Sequence, residues 1–532
     1  MAEIKIKAEE LAKKQQSISV SDFFTRNRHL LGFDNPRKAL LTAIKEAVDN
    51  ALDAAEEMGV LPSVSIVVKQ VGENKFIVIV EDNGPGIVKE QIPHIFARLL
   101  YGSKFHKLAQ SRGQQGIGIS ATVLYGQLTT GKPAKIISRI SEKKPAHYYE
   151  LFIDTSTNMP KIVKEYEVEY DKPHGTRVEI ELEGIYQKGV RSIDEYLKQT
   201  AIANPHVEIN YINPDKEQVR YPRATNEKPA QPIEIKPHPY GIELGILIKM
   251  LHNTSARTLQ SFLTGDFCRV GAVSAKEICE KAKLDTSMKP SVITRDQAEA
   301  IMNAIKTTKI SAPPTDCIVP IGQELLEKGL KKEISADFYC STTRSPSVYR
   351  GNPFVIEAAL AYGGQIDKEG QVQIIRFANK VPLQYQAGAC AISKMIGEVN
   401  WKPYGLQQSG SNTPIGPVVV VVHMCSVWVP FTSESKEAIA HYPEIMDEIK
   451  LALQECGRKL GIYIHKNIRA KEHKAKIGLF EKYIPELAGS LSELTGEQKQ
   501  QLIDHLQKLL KKNLPSLEME TPNGGNQSTG KA

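Results

Sequence analysis

The chain has 532 residues, 41% apolar and 24% charged, a balance ordinary for a soluble globular protein; the length excludes one compact core, so about three domains are expected. Its 68 basic and 61 acidic residues leave a net charge of +7, which permits contact with nucleic acid without arguing for it. The seven cysteines form no Cys-x-x-Cys pair, Cys268 and Cys279 being the nearest in sequence, which speaks against a zinc site and for reduced thiols.

The start, Met-Ala-Glu-Ile-Lys-Ile-Lys, is charged throughout and lacks the apolar centre of a signal peptide, so a cytoplasmic setting is expected. Residues 1–20 read as a mobile N-terminus, and residues 21–35 as a short helix and turn leading into a helix over 38–58. At ~100° per residue, Ile44, Val48, Ala51, Leu52 and Ala55 share one face of that helix, and Glu46, Asn50, Asp53 and Glu57 share the other. Glu46 and Asn50 stand one turn apart. An amide oxygen such as that of Asn50 is a hard ligand suited to Mg²⁺, and a carboxylate one turn earlier can accept a proton from an attacking water. An amphipathic helix with a solvated polar face explains the same pattern.

Strands are expected over 64–71, 76–81, 134–138, 148–153 and 176–181, the alternation of a layered α/β sandwich. Lys75-Phe-Ile-Val-Ile-Val-Glu-Asp82 ends in Asn83-Gly84-Pro85-Gly86. Asp82 at a strand tip can accept from an adenine amino group while Gly84 and Gly86 allow close backbone approach; the motif is also simply a good turn. Arg112-Gly113-Gln114-Gln115-Gly116-Ile117-Gly118 then opens an apparent helix, whose free N–H groups and dipole make an anion seat. Gly126-Gln-Leu-Thr-Thr-Gly131-Lys132-Pro133 fits a Walker loop until Pro133, which has no hydroxyl for a metal. Gly116-Ile-Gly118-Ile-Ser-Ala121 matches a dinucleotide fingerprint without the strand that must precede it.

Five prolines, Pro222, Pro229, Pro232, Pro237 and Pro239, mark a linker. Residues 241–309 read as several helices. Residues 311–315 are a second boundary, followed by strands over 371–377 and 417–422 and a helix over 444–461. The apolar run 418–422 is far short of the ~18 residues that span a bilayer and reads as a buried strand. Residues 495–498 look like a capping box before a short amphipathic helix, and residues 518–532 read as disordered.

Glu46 and Asn50, the Asp82 turn and the glycine loop, in this order, resemble the GHKL ATPases: gyrase-type subunits, MutL, the large heat-shock chaperone and histidine kinases. Tyr101-Gly-Ser-Lys-Phe-His106, His174-Gly-Thr-Arg-Val-Glu179, Lys236-Pro-His-Pro-Tyr-Gly241, Arg376-Phe-Ala-Asn-Lys-Val-Pro-Leu383 and Val429-Pro-Phe-Thr-Ser-Glu-Ser-Lys-Glu-Ala-Ile-Ala440 narrow the resemblance to the B subunits of type VI DNA topoisomerases over roughly residues 20–475. The resemblance implies an α+β multidomain protein. Residues 21–235 would be a GHKL (Bergerat) ATPase sandwich, 236–312 a small helix-two-turns-helix domain, 313–475 an α/β transducer with a long C-terminal helix, and 476–532 an extension with a short helix and a tail.

It implies ATP and Mg²⁺ as cofactors, with Asp82 on adenine and Thr176 beside it. Gly84 and Gly86 would line the base, Gly113, Gln114, Gln115, Gly116, Ile117 and Gly118 would cradle phosphates, and Asn50 would hold the metal. Glu46 would activate water. Residues 91–111 would form a lid, with Ser103 and Lys104 at the phosphates, although a lysine in a polar loop is commonly just solvated. Lys436 would sense the γ-phosphate, a role resting on resemblance alone. The implied partners are an A subunit in an A2B2 assembly, a second copy joined on ATP binding with exchange of an N-terminal strap, and double-stranded DNA, with no membrane. The subunits would form an ATP-driven gate, with strand cleavage in the A subunit, relaxing supercoils and decatenating DNA. No Asp-x-Asp pair occurs in the chain, so it is not expected to cleave DNA itself. A MutL-like repair clamp is the alternative use of the same ATPase; a histidine kinase or a chaperone fits less well.

Overall fold

The computed structural model describes residues 10–15, 17–104, 107–113, 116–410, 412–433 and 435–513, with side chains to residue 510. It divides into a larger unit, residues 1–400 and 408–456, and a smaller one, residues 401–407 and 457–532. Of the expected mobile segment, residues 1–9 and 16 lie outside the described residues, as does the whole expected disordered tail, 518–532, while residues 10–13 are helical.

In the larger unit, Ser19 caps helix α1 (Val20–Arg26) by accepting from Asp22 N. Helix α2 (Pro36–Met58) follows because Asn35 accepts from Lys38 N at 2.9 Å, Pro36 fits the first turn, and Gly59 at φ 73° ends it. Leu40, Ile44, Val48 and Leu52 of α2 are fully buried, each such side chain contributing about 1.5–3 kcal/mol. They pack on a sheet made from β1 (Ser63–Gly72), β2 (Lys75–Glu81), β3 (Ala134–Arg139), β4 (Ala146–Asp154), β5 (Met159–Val168), β6 (Gly175–Glu183), β7 (Glu208–Ile212) and β8 (Gln218–Tyr221). Its order is β5-β4-β3-β6-β2-β1-β7-β8, with only the β1–β7 pair parallel. Val64, Ile66 and Val68 of β1 and Val178, Ile180 and Leu182 of β6 share their core with α2 and three further helices: α3 (Ile92–Ala97), α4 (Gly118–Thr130) and α5 (Ile193–Ala203). Alternation marks five of these strands. β5 escapes it because it is a mostly exposed edge strand with charges on both faces; β7 alternates over only five residues and β8 over four, stretches short enough to pass unnoticed.

Four helices, α6 (Leu244–Asn253), α7 (Leu259–Asp266), α8 (Ala272–Ala282) and α9 (Arg295–Thr307), enclose their own core of Leu247, Leu251, Phe262, Leu263, Ile278, Ile301 and Ile305. Capping boxes at Thr258 and Thr294 set two of their starts.

After α10 (Gln323–Glu333) comes a second sheet of β9 (Phe338–Thr343), β10 (Ser347–Tyr349), β11 (Asn352–Tyr362), β12 (Gln373–Ala378), β13 (Val381–Pro382) and β14 (Val418–Ser426), with α11 (Ala391–Glu398) between the last two. The order is β10-β11-β14-β12-β13, and β9 pairs with β11. The central strands β11 and β14 are buried almost end to end, which explains the unbroken valine run. Glu357 of β11 stands opposite His423 of β14.

Helix α12 (Pro443–Thr495) starts in the larger unit and continues into the smaller one, where α13 (Lys499–Asn513) follows. It runs unbroken through the expected limit at 475. The expected capping box at residues 495–498 does not form. Thr495 closes α12, its hydroxyl donating to Leu491 O at 2.7 Å, and Gly496 at φ 76° ends the helix. Among the described residues no helix is long and apolar enough to cross a membrane.

Candidate functional site

A cavity of about 560 Å³ lies in the larger unit between α2, the tips of β2 and β6, the start of α4 and two segments from beyond the helical body, residues 382–385 and 435–437. Glu46 and Asn50 line it from α2; Asp82, Gly86 and Thr176 from the strand tips; Ser103, Lys104, Gly113, Gly116, Ile117 and Gly118 from the segment ahead of and into α4; and Lys436 from the far loop. Gly84 stands behind this wall, its N–H donating to Asp82 Oδ1 at 2.8 Å. Gln114 and Gln115 lie outside the described residues.

Two glycines leave no room for a side chain where the structure places their neighbours, Gly86 against backbone and Gly118 against the Glu46 carboxylate. A Cβ at Gly118 would lie 1.7 Å from Glu46 Oε2, and one at Gly86, where φ is 70°, would lie 2.0 Å from the Arg139 carbonyl oxygen. A side chain at Gly118 would have to displace the Glu46 carboxylate from its place at the start of α4. The N-cap residue Ile117 makes no side-chain cap, so among the described residues no side chain caps the start of α4, and its first N–H groups and helix dipole suit an anion.

At the other end, Asp82 Oδ1 accepts from Gly84 N at 2.8 Å and from Thr176 N at 3.2 Å. These bonds orient the carboxylate and leave Oδ2 for a donor in the cavity. Burial pushes the Asp82 carboxyl up to about 6 against the effect of both bonds. Thr176 Oγ1 lies 3.0 Å from Ser138 Oγ, so that hydroxyl is held in place beside Asp82.

Asp53 shows what covers the polar face of α2. Asp53 is buried there, with Lys104 Nζ 2.6 Å from Oδ2 and Arg112 Nη1 2.8 Å from Oδ1. Burial disfavours its charge, but Lys104 and Arg112 outweigh burial and hold its carboxyl below the usual value. Lys104, also 3.4 Å from Glu57 Oε1, is thus engaged with carboxylates here. Lys436 is held below the usual lysine value by burial, against the opposing pull of Glu46, Asp49 and Asp53. With Glu46 and Asp49 it also lines an adjoining space of about 10 Å³, room for roughly one water.

Several residues escape sequence reasoning. Asp49 is buried beside the site, accepts from Tyr196 Oη at 3.1 Å, and is pushed up to about 7 by burial. Its place between Glu46 and Asn50 is the signal that could have found it. Arg112 sits next to Gly113 at the head of the glycine loop and is buried in ion pairs. Gln384 and Tyr385 line the cavity with buried polar atoms that find no hydrogen-bond partner among the described residues. Lys38 pairs with Glu437 at 2.7 Å, holding the Lys436 loop against α2; nothing local in the sequence marks either residue.

A carboxylate end that accepts, an amide and carboxylate on one helix face, a helix start without a side-chain cap among the described residues and a half-buried ammonium together have the chemistry to take a polyphosphate nucleotide. Residues 35–184 match the family model for histidine kinase-, DNA gyrase B- and HSP90-like ATPases. The first sheet and its helices are therefore a GHKL ATPase sandwich, a nucleotide-binding domain. Residues 313–476 match the model for the transducer of the topoisomerase VI B subunit.

The chain is similar to proteins named as the B subunit of type 2 DNA topoisomerase 6. It is 54% identical to that of Methanococcoides burtonii over 91% of this chain and 78% of the relative. It is 51% identical to that of Methanosarcina barkeri over 92% and 79%, and 46% identical to that of Archaeoglobus fulgidus over 91% and 80%. The chain belongs to the family of type 2 DNA topoisomerase 6 B subunits. It is the ATP-driven, ATPase-bearing subunit of that enzyme type, and the transducer match leaves the MutL-like alternative with less support.

Proposed function

We propose that the cavity binds ATP with its adenine amino group on Asp82 Oδ2 and its phosphates against residues 113–118 and the start of α4. What supports this reading most is the convergence of Glu46, Asn50, Asp82, Thr176, Gly116, Gly118 and Lys436 on one cavity from distant parts of the chain. Thr176 steadies the adenine directly or through water, and Gly84 and Gly86 keep the base wall flat. Ser103 and Lys104 belong to the lid, residues 91–111, and Lys104 exchanges Asp53 for a phosphate when the lid closes.

The donor set fits Mg²⁺: Asn50 offers a neutral oxygen, and its Oδ1 would lie 3.7 Å from a Cβ at Gly113, beside the phosphate loop. Asn50 would hold the ion, which when bound neutralises phosphate charge. Glu46 orients a water and takes its proton. Lys436 places its ammonium on the γ-phosphate, stabilises charge as it develops, and is released when that phosphate leaves.

Domain limits follow the same reading: 21–235, 236–312, 313–475 and an extension from 476 to 532. The subunit acts with an A subunit in an A2B2 assembly, closes with a second copy on ATP binding, and couples turnover to passage of one DNA duplex through a break made by the A subunit. Supercoils are relaxed and linked circles separated, in the cytoplasm. The test is ATP hydrolysis and DNA relaxation by the chain with its cognate A subunit. ATP-dependent relaxation is expected; ATP hydrolysis with no change of DNA topology would overturn the reading.

A further inference from the structure

Residues 110–112, directly ahead of the glycine loop, are bound one by one to different parts of the larger unit. Gln110 N donates to Cys317 O at 2.9 Å, and its Oε1 accepts from Val319 N at 2.6 Å and from the Cys425 thiol at 2.7 Å. The Ser111 carbonyl accepts from Asn379 Nδ2 at 3.1 Å. Arg112 donates to both Glu56 oxygens at 2.7 and 2.8 Å, to Asp53 Oδ1 at 2.8 Å and to Asn204 Oδ1 at 2.5 Å.

Asn379 occupies the turn between β12 and β13, where it and Lys380 have φ of 48° and 67°. This left-handed pair suits a tight hairpin, and asparagine tolerates it. Its amide is fully engaged: Nδ2 also donates to Ser426 O at 2.9 Å, and Oδ1 accepts from Ser426 N at 2.9 Å. Lys380 N donates to His423 Nε2 at 3.0 Å, so that imidazole carries its proton on Nδ1, 2.7 Å from Glu357 Oε2. Glu357 further accepts from Ile321 N, Gly322 N and the Thr343 hydroxyl. Hydrogen bonds thus run from the Ser111 carbonyl through the Asn379 amide to Ser426 of β14, and the adjoining Lys380 N continues through His423 to Glu357 of β11. Past the turn, Leu383, Gln384 and Tyr385 return to line the cavity.

We propose that Asn379 is a positioning residue for ATP-driven gating. It holds the Ser111 carbonyl, and with it the entry to the glycine loop, in register with the transducer sheet, so that displacement of one displaces the other. The contact is to loop backbone and lies outside the nucleotide's own ligands. Removing it should spare binding and damage coupling. The proposal rests on the ATP reading above.

Asn379→Gly keeps the left-handed turn and deletes the amide. Measured on the full chain with its A subunit, KM for ATP should change less than twofold while supercoils removed per ATP hydrolysed fall fivefold or more. Asn379→Asp keeps the acceptor for Ser426 N but sets a carboxylate oxygen against the two carbonyls, and should lose more. An unchanged ratio, or a KM that rises in step with an unchanged ratio, overturns the proposal. Hydrogen exchange on the wild-type chain tests it without any variant. A non-hydrolysable ATP analogue should protect amides in residues 373–382 and 418–426 as well as those near 113–125; protection confined to 113–125 overturns it. Absence of protection near 113–125 would instead count against nucleotide binding there.

Discussion

The two ends of the nucleotide cavity are held by different means. The Asp82 end is built within one sheet: the Gly84 and Thr176 backbone N–H groups fix the carboxylate, and Ser138 meets the Thr176 hydroxyl. The Glu46 end is assembled from distant pieces: a helix face, a glycine loop tied by Arg112 and Asn379, and a lysine loop docked through Lys38–Glu437. The first arrangement is rigid and suited to recognition. The second draws on pieces far apart in the chain, as the proposed sensing of the γ-phosphate would require.

Substitutions at the two ends should therefore separate turnover from affinity. The largest effect is expected for Glu46→Ala. Loss of the general base should slow phosphate release by about 10²-fold or more, while size-exclusion chromatography with light scattering still finds a dimer on adding an ATP analogue. Normal turnover in that variant would remove Glu46 from its role. Lys436→Ala should lower kcat by about 10–10²-fold through loss of charge at the γ-phosphate, with ADP affinity measured by calorimetry unchanged. Weakened ADP binding would place Lys436 at the wrong end of the nucleotide.

Asp82→Asn should act the other way. Loss of a charged acceptor, about 1.5–3 kcal/mol, weakens nucleotide affinity by roughly ten- to a hundredfold, and an unchanged calorimetric Kd would dismiss the assignment. The wild-type carboxyl, raised to about 6 by burial, is ionised at pH 7.5 and protonates below pH 6. ADP affinity should accordingly fall as pH drops through 6, and Asp82→Asn should flatten that profile.

The smallest effect is on stability. Asp49 is raised from 3.8 to about 7 by burial, so the folded state prefers it protonated, and stability is lost as pH rises from about 3.8 through 7, with the full cost present at pH 8. Asp49→Asn should be more stable than wild type at pH 8, by about 1–2 kcal/mol. The gap should close as pH falls through 7 toward the unfolded value, since protonation relieves the wild type. Thermal unfolding at pH 8 and pH 5 measures it, and an equal gap at both would show that Asp49 carries no such cost.

The Asp82 end is legible in the sequence because a strand, its turn and the acidic tip are consecutive residues. Glu46 and Asn50 are legible for the same reason, one helix turn apart. Lys436 is reached through resemblance alone, since its position depends on the docking of residues 435–437 against α2, which no local pattern encodes. Helical periodicity puts Asp53 opposite the core but leaves open whether that face meets chemistry or solvent, because it sees only its own helix and not the Lys104 and Arg112 that cover it. The exposed edge strand β5 and the capping reading of Thr495 fail alike: composition shows polar residues without showing which neighbour they will meet.

Which groups hold each end of the nucleotide is the central claim. A crystal structure of the chain with a non-hydrolysable ATP analogue and Mg²⁺ measures this directly. The adenine amino group should lie on Asp82, and the Lys436 ammonium on the γ-phosphate across the glycine loop. A nucleotide bound with Asp82 uncontacted, or a γ-phosphate met by Lys104 with Lys436 turned away, would contradict it.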